Sequence, residues 1–237
     1  MDYQERIQKF QLMSNAQPPL ALLQGSVAKL TWAVHAVDQY LAAHSEAVAR
    51  LAEQIARQMG FSDSIIEAIR FGALLHDIGK INLPDVVLHK RSALTPEECE
   101  IMKTHPLLGT KILEPFETQV ADWVRMNVRN NVAFDRNSYE TAIKVIRNTV
   151  RHHHEAFDGS GYPDQLRGDN IPLAARIVAV PNYFDMITDS AYRQGCSVQE
   201  SLAEIRRCSG TQFDPDIVEA FVRALSGRES LGASMPG

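Results

Sequence analysis

Apolar residues in this chain recur at intervals of three and four, and that spacing restricts its fold more than any other feature. Across residues 44–59, Val48, Leu51, Ile55 and Met59 fall on one face of a helix, with Gly60 as a stop signal. A second helix is expected over residues 62–78, where Ile66, Ile69 and Ala73 lead up to His76. Thr95 and Glu98 have the spacing of a capping box with Pro96 at the first helical position, and Ser197 and Glu200 repeat it. Asp214 followed by Pro215 opens a further helix. No run alternates apolar and polar residues over a useful length, which argues against a sheet. The expected fold class is all-α.

Composition shifts suggest the organisation. Residues 1–40 read as an N-terminal helical extension with a loop around "NAQPPL" and then a helix running into His44, residues 41–225 as one helical domain, and residues 226–237 as a loose tail. The polar stretch 117–147, with "RNN" and "DRNS" as breakers, reads as an elaboration between two core helices. The 45% hydrophobic content is ordinary for a chain that buries a core. A net charge of −5 argues against DNA or other sequence-independent nucleic-acid binding. Cys99, Cys196 and Cys208 show no CxxC spacing, no stretch approaches the roughly 20 apolar residues of a membrane span, and the start lacks a signal-peptide pattern. A cytoplasmic protein without a membrane span is expected.

The sharpest chemical signal is "LLHDIGK" at residues 74–80. His76 and Asp77 offer a neutral imidazole beside a carboxylate able to bridge, the donor mixture that divalent metals take in hydrolases. A buried ion pair between Asp77 and a nearby cation accounts for the pair equally well. Lys80 stands four residues after His76, and Gly79 is placed to end the helix between them. His44 lies on the inward stripe of its helix, where a lone histidine is ordinarily a hydrogen-bonded core residue. His105 precedes Pro106 at a helix break and either leaves the helical groove or simply ends a helix.

His153 and His154 would diverge by about 100° on a helix. They share one ion only if the helix is ending, and otherwise serve two ions side by side. His152 is the expected spare. The following "DGSGYP" reads as a tight loop whose glycines permit close approach of a ligand and whose Pro163 stiffens the exit, although an ordinary turn has the same composition.

Taken together, "HDIGK", "KTHPLLG", "HHEAFDGSGYP", "IPLAARI" and "GTQFDP" occur in an order that resembles the HD-GYP domain, a branch of the HD metal-dependent phosphohydrolases, from His44 to about Ala220. The resemblance implies an all-helical domain that holds two divalent metal ions, iron or manganese. It also implies hydrolysis of the bacterial second messenger cyclic di-GMP to linear pGpG or GMP by a metal-bound hydroxide. By that resemblance His44, His76, Asp77, His105, His153 and His154 are metal ligands, with Asp77 bridging and with His153 and His154 on neighbouring ions. Lys80 and Arg193 contact phosphate, and Gly161, Tyr162 and Pro163 stand beside the substrate.

The chain departs from the family in "VPNYFDM" at residues 180–186, where Asn182 takes the position of an aspartate ligand. Pro181 is expected to kink that helix, at roughly 3 kcal/mol if uncompensated, and Asp185 is a candidate for a redirected ligand. One substrate arginine is missing from "TDSAYR", and Tyr40 stands where three-metal members carry glutamate, so a third ion is not expected. These departures support an alternative reading, a degenerate HD-GYP module that regulates by binding a nucleotide or a protein partner. A different nucleotide phosphohydrolase is a third reading, against which the GYP loop argues. A regulatory protein partner and a homodimer stay open.

Overall fold

Asp38 decides where the second helix begins: its carboxylate accepts the backbone N–H groups of Tyr40 (2.8 Å) and Leu41 (3.2 Å). The structure, a computed structural model of the chain, describes residues 20–90, 92–129, 136–188 and 195–232. Its helices are α1 (Leu20–Val37), α2 (Gln39–Gln58), α3 (Asp63–Leu75), α4 (Asp85–Leu88), α5 (Pro96–Met102), α6 (His105–Arg129), α7 (Arg136–His152), α8 (Leu173–Thr188), α9 (Val198–Arg207) and α10 (Pro215–Gly232). Short 3-10 turns cover Ile78–Asn82 and Gly168–Asn170. No strand occurs among the described residues, so the all-α expectation holds.

The capping boxes at Thr95/Glu98 and Ser197/Glu200 form as their spacing requires and start α5 and α9. The core is built where α2 packs on α3 and α8, and where α3 packs on α7. Val48, Ile55, Ile65, Ile69, Ile146, Ile177 and Val178 fill it with almost no exposed surface. The apolar stripe at spacing three and four is the strip of α2 that faces these partners.

Three boundaries differ from the sequence reading, and at Pro181 the helix continues. The first helix does not run on into His44; it stops at Val37, and its buried Leu23, Val27 and Val34 join the core. Residues 117–147 are no insertion: α6 carries Phe116, Val120 and Val124 inward, and α7 carries Tyr139, Ala142, Val145 and Ile146. Their polar appearance comes from the outward faces of two long helices. The last helix continues past residue 226 to Gly232. Finally, α8 runs unbroken through the buried Pro181, so the proline removes a backbone donor without ending the helix.

One contact fixes the geometry of the centre. The 3-10 turn after α3 presses against the first turn of α6 so closely that a Cβ on Gly79 would lie 1.9 Å from the His105 carbonyl oxygen and 2.5 Å from the Gly109 nitrogen. Only glycine permits that approach, and it brings Asp77 and His105 together. Gly79→Ala should therefore cost at least about 2 kcal/mol in urea denaturation, as overpacking against backbone does. Gly25→Ala, with nothing within 4 Å of the added Cβ, should leave stability unchanged or raise it by up to about 1 kcal/mol.

Candidate metal centre

Asp77 lies at the bottom of the site, 2% exposed, in the junction between α3 and the 3-10 turn. Around it are His76 at the end of α3, His105 at the start of α6, and His153 and His154 just beyond the end of α7. His44 approaches from α2. Two overlapping sets of donor atoms result: Asp77 with His105, His153 and His154, and Asp77 with His44 and His76. Asp77 belongs to both.

The tautomers are set by the backbone. His76 Nδ1–H donates to the Ala73 carbonyl at 2.7 Å, His105 Nδ1–H to Met102 at 2.8 Å, and His153 Nδ1–H to Val150 at 3.0 Å. With its proton on Nδ1, each ring presents an Nε2 lone pair to the interior. The Nε2 atoms of His105 and His153 face each other at 3.2 Å. Asp77 Oδ1 lies 3.1 Å from His105 Nε2, yet neither that oxygen nor His76 Nε2 finds a hydrogen-bond partner. Buried acceptors crowded together without donors are costly unless a cation stands among them.

The spacing fits such a cation. Two donors at right angles on one ion, each at about 2.1 Å, stand about 3 Å apart. That is the separation of His105 from His153, of His105 from Asp77, and of His44 Nε2 from Asn182 Oδ1, at 3.0 Å.

Burial lowers the pKa of His76, His153 and His154, the last of them strongly. Burial alone would raise that of Asp77, but the Lys80 ammonium and the surrounding imidazoles outweigh it and hold the carboxyl well below its ordinary value. Asp77 is therefore held ionised and His76, His153 and His154 are held neutral, the protonation state that metal binding requires. Lys80 Nζ sits 2.7 Å from Asp77 Oδ2.

A cavity of about 1010 Å³ opens above these residues, lined by His44, Lys80, His154, Tyr162 and Asn182 among others. Tyr162 stacks on His154 with ring centroids 4.8 Å apart, and its backbone N–H donates to the His154 carbonyl at 3.2 Å. A Cβ on Gly161 would come within 2.2 Å of the Ala156 nitrogen, so the loop lies on the histidine pair only because that residue is glycine. Pro163 follows, half-buried.

The structure thus assembles every sequence-derived site residue except Arg193, which lies outside the described residues. Because α7 ends at His152, the divergence expected of adjacent helical residues does not apply. His153 and His154 fall in one set of neighbouring donor atoms, rings 4.3 Å apart. His152 is structural, with Nε2 2.9 Å from Asp164 Oδ2. Asp185 does not enter a donor set; it accepts the His44 Nδ1–H at 2.6 Å. Sequence reasoning missed Glu155. Its buried carboxylate accepts the backbone N–H groups of Asp164 (2.7 Å) and Leu166 (3.0 Å), bracketing Gln165 at φ 53°. An acid directly after two ligand histidines was the available signal.

Residues 33–217 match the HD domain family. The chain belongs to its HD-GYP branch. The domain is 39% identical over 181 residues to a cyclic di-GMP phosphodiesterase of Thermotoga maritima, covering 76% of this chain and 43% of that protein. It is 33% identical over 219 residues to the cyclic di-GMP phosphodiesterase response regulator RpfG of Xanthomonas campestris, covering 90% and 52%. The HD-GYP chain spans about half the length of the curated relatives it matches. A crystal structure of a cyclic GMP-AMP specific phosphodiesterase from V. cholerae has the same fold, with a TM-score of 0.55 at 20% identity over 92% of this chain and 51% of that one.

His76, His153 and His154 give the HD-GYP domain a pH dependence of definite sign. Their pKa values are lower folded than unfolded, so the unfolded chain binds more protons as pH falls through about 6.5. With chelator present, stability from urea denaturation should be full above that pH and decline steadily from pH 7 to pH 5. A flat profile would show that the imidazoles are not held neutral.

Proposed function

We propose that this HD-GYP domain is a metal-dependent phosphodiesterase that hydrolyses cyclic di-GMP to linear pGpG or GMP. The observation that carries the reading is the convergence of histidine ring nitrogens on the shared carboxylate of Asp77, beneath a cavity of about 1010 Å³ that can admit a dinucleotide. The names of the two curated relatives supply the substrate.

His105, His153, His154 and Asp77 would hold one ion, and His44, His76, Asp77 and Asn182 a second. The donors are nitrogen and oxygen without thiolate, which suits iron or manganese. When bound, the ions supply Lewis acidity and lower the pKa of water at neutral pH. Lys80 keeps the bridging carboxylate ionised and presents its ammonium to the cavity, where it meets a phosphodiester oxygen. Tyr162 holds the His154 ring in place and walls the pocket beside Gly161 and Pro163. Burial raises the Tyr162 pKa, so its hydroxyl is a neutral donor. All three cysteines are free thiols, no described helix is long and apolar enough to cross a membrane, and we place the activity in the cytoplasm.

A second reading has its own observation. Asn182 contributes a neutral amide oxygen beside His44, so one ion is held with less charge than an aspartate would provide. A weakly active or regulatory domain is the outcome if that ion fails to bind.

Anaerobic protein loaded with Mn²⁺ or Fe²⁺ should convert cyclic di-GMP to linear product, followed by chromatography. Lys80→Met should reduce kcat about 100-fold, in line with loss of one charge-stabilising donor. Inertness toward cyclic di-GMP and 3'3'-cGAMP with both sites filled would refute the phosphodiesterase reading, and inertness with only one ion bound would favour the regulatory one.

A further inference from the structure

The histidines of the centre are not oriented alike. His76, His105 and His153 give Nδ1–H to neutral backbone carbonyls, whereas His44 gives it to the Asp185 carboxylate at 2.6 Å. Asp185 stands three residues after Asn182 on α8, so both side chains project from one face of that helix toward α2. They clasp the same ring from opposite edges, Asp185 at Nδ1 and Asn182 Oδ1 at 3.0 Å from Nε2. His44 Nε2 also lies 3.9 Å from Asp77 Oδ2, within reach of the shared carboxylate.

We propose that Asp185 is a positioning residue that fixes His44 with Nε2 free and returns to this half of the centre the negative charge that Asn182 lacks. An anionic acceptor on Nδ1–H polarises the imidazole and makes Nε2 a stronger donor than a carbonyl acceptor does. The charge that an aspartate at position 182 would place directly on the ion is relayed through the His44 ring. The inference rests on reading the cluster as a metal centre and is independent of the substrate. The half containing His105, His153 and His154 has no part in the relay, so the effect is confined to one ion.

The test is anaerobic calorimetric titration of chelator-stripped protein with Mn²⁺. Wild-type protein should bind two equivalents. Asp185→Asn, which keeps the shape and removes the charge, should weaken one equivalent by 10–100-fold and leave the other unchanged. Adding Asn182→Asp to that variant should restore the lost affinity, because the charge returns directly. Long-range ¹⁵N NMR of metal-free protein should show His44 as the Nδ1–H tautomer in the wild type and mixed tautomers in Asp185→Ala, a change that loss of packing alone does not produce. An Asp185→Asn isotherm identical to wild type, or equal weakening of both equivalents, overturns the proposal. So does failure of Asn182→Asp to rescue. Two intact equivalents without hydrolysis would refute the phosphodiesterase reading and leave this one standing; wild-type protein that binds no Mn²⁺ refutes both.

Discussion

A single ionised carboxylate, Asp77, is buried where five segments of the chain meet, and the rest of the domain is arranged around that fact. An isolated charge at 2% exposure would be neutralised by protonation or would unfold the site. Here protonation is opposed by the Lys80 ammonium at 2.7 Å and by imidazoles on every other side. Breaking such a buried set by removing one partner leaves an uncompensated charge, so its members stand or fall together. The histidines have the complementary problem. His44, His76, His105 and His153 each have Nδ1 satisfied by a protein acceptor and Nε2 directed at other acceptors. Lys80 answers the first problem, and a divalent cation between carboxylate and imidazoles would answer the second.

Holding five segments that close requires places where side chains are absent. Gly79 lets the turn after Asp77 touch the first turn of α6, and Gly161 lets the substrate loop lie on the His154 carbonyl. Glu155 completes the second of these junctions, since its two hydrogen bonds to the backbone at Asp164 and Leu166 tie the loop to the residue that follows the ligand pair. The wall of the cavity and the floor of the candidate centre are therefore joined by direct contacts. A displacement of the loop carries His154 with it through the Tyr162 stack.

Much of this was legible in the sequence. Period 3.6 gave the helices, the capping boxes gave the starts of α5 and α9, and the His-Asp pair with its following motifs named residues that the fold brings together. What escaped were features that depend on direction rather than spacing. The polar outward faces of α6 and α7 disguised their core contribution, because Val120, Val124 and Tyr139 are separated by residues that point to water. The end of α7 at His152 turned two apparently divergent histidines into one donor set. Pro181 was expected to kink its helix, and α8 continues through it from Leu173 to Thr188 with one backbone donor missing. Tautomers were invisible, because they follow from which carbonyl lies beside each Nδ1.

The two halves of the centre differ in burial as well as charge. His105 and His153 are almost fully enclosed, whereas His44 and Asp185 have side chains 18% and 20% exposed. Electrostatic interactions are stronger where water is excluded, so an ion among Asp77, His105 and His153 would be held in the lower dielectric. On the other side His76 is equally enclosed, and the difference rests on the partly solvated His44 ring, the neutral Asn182 amide and the Asp185 carboxylate at His44 Nδ1.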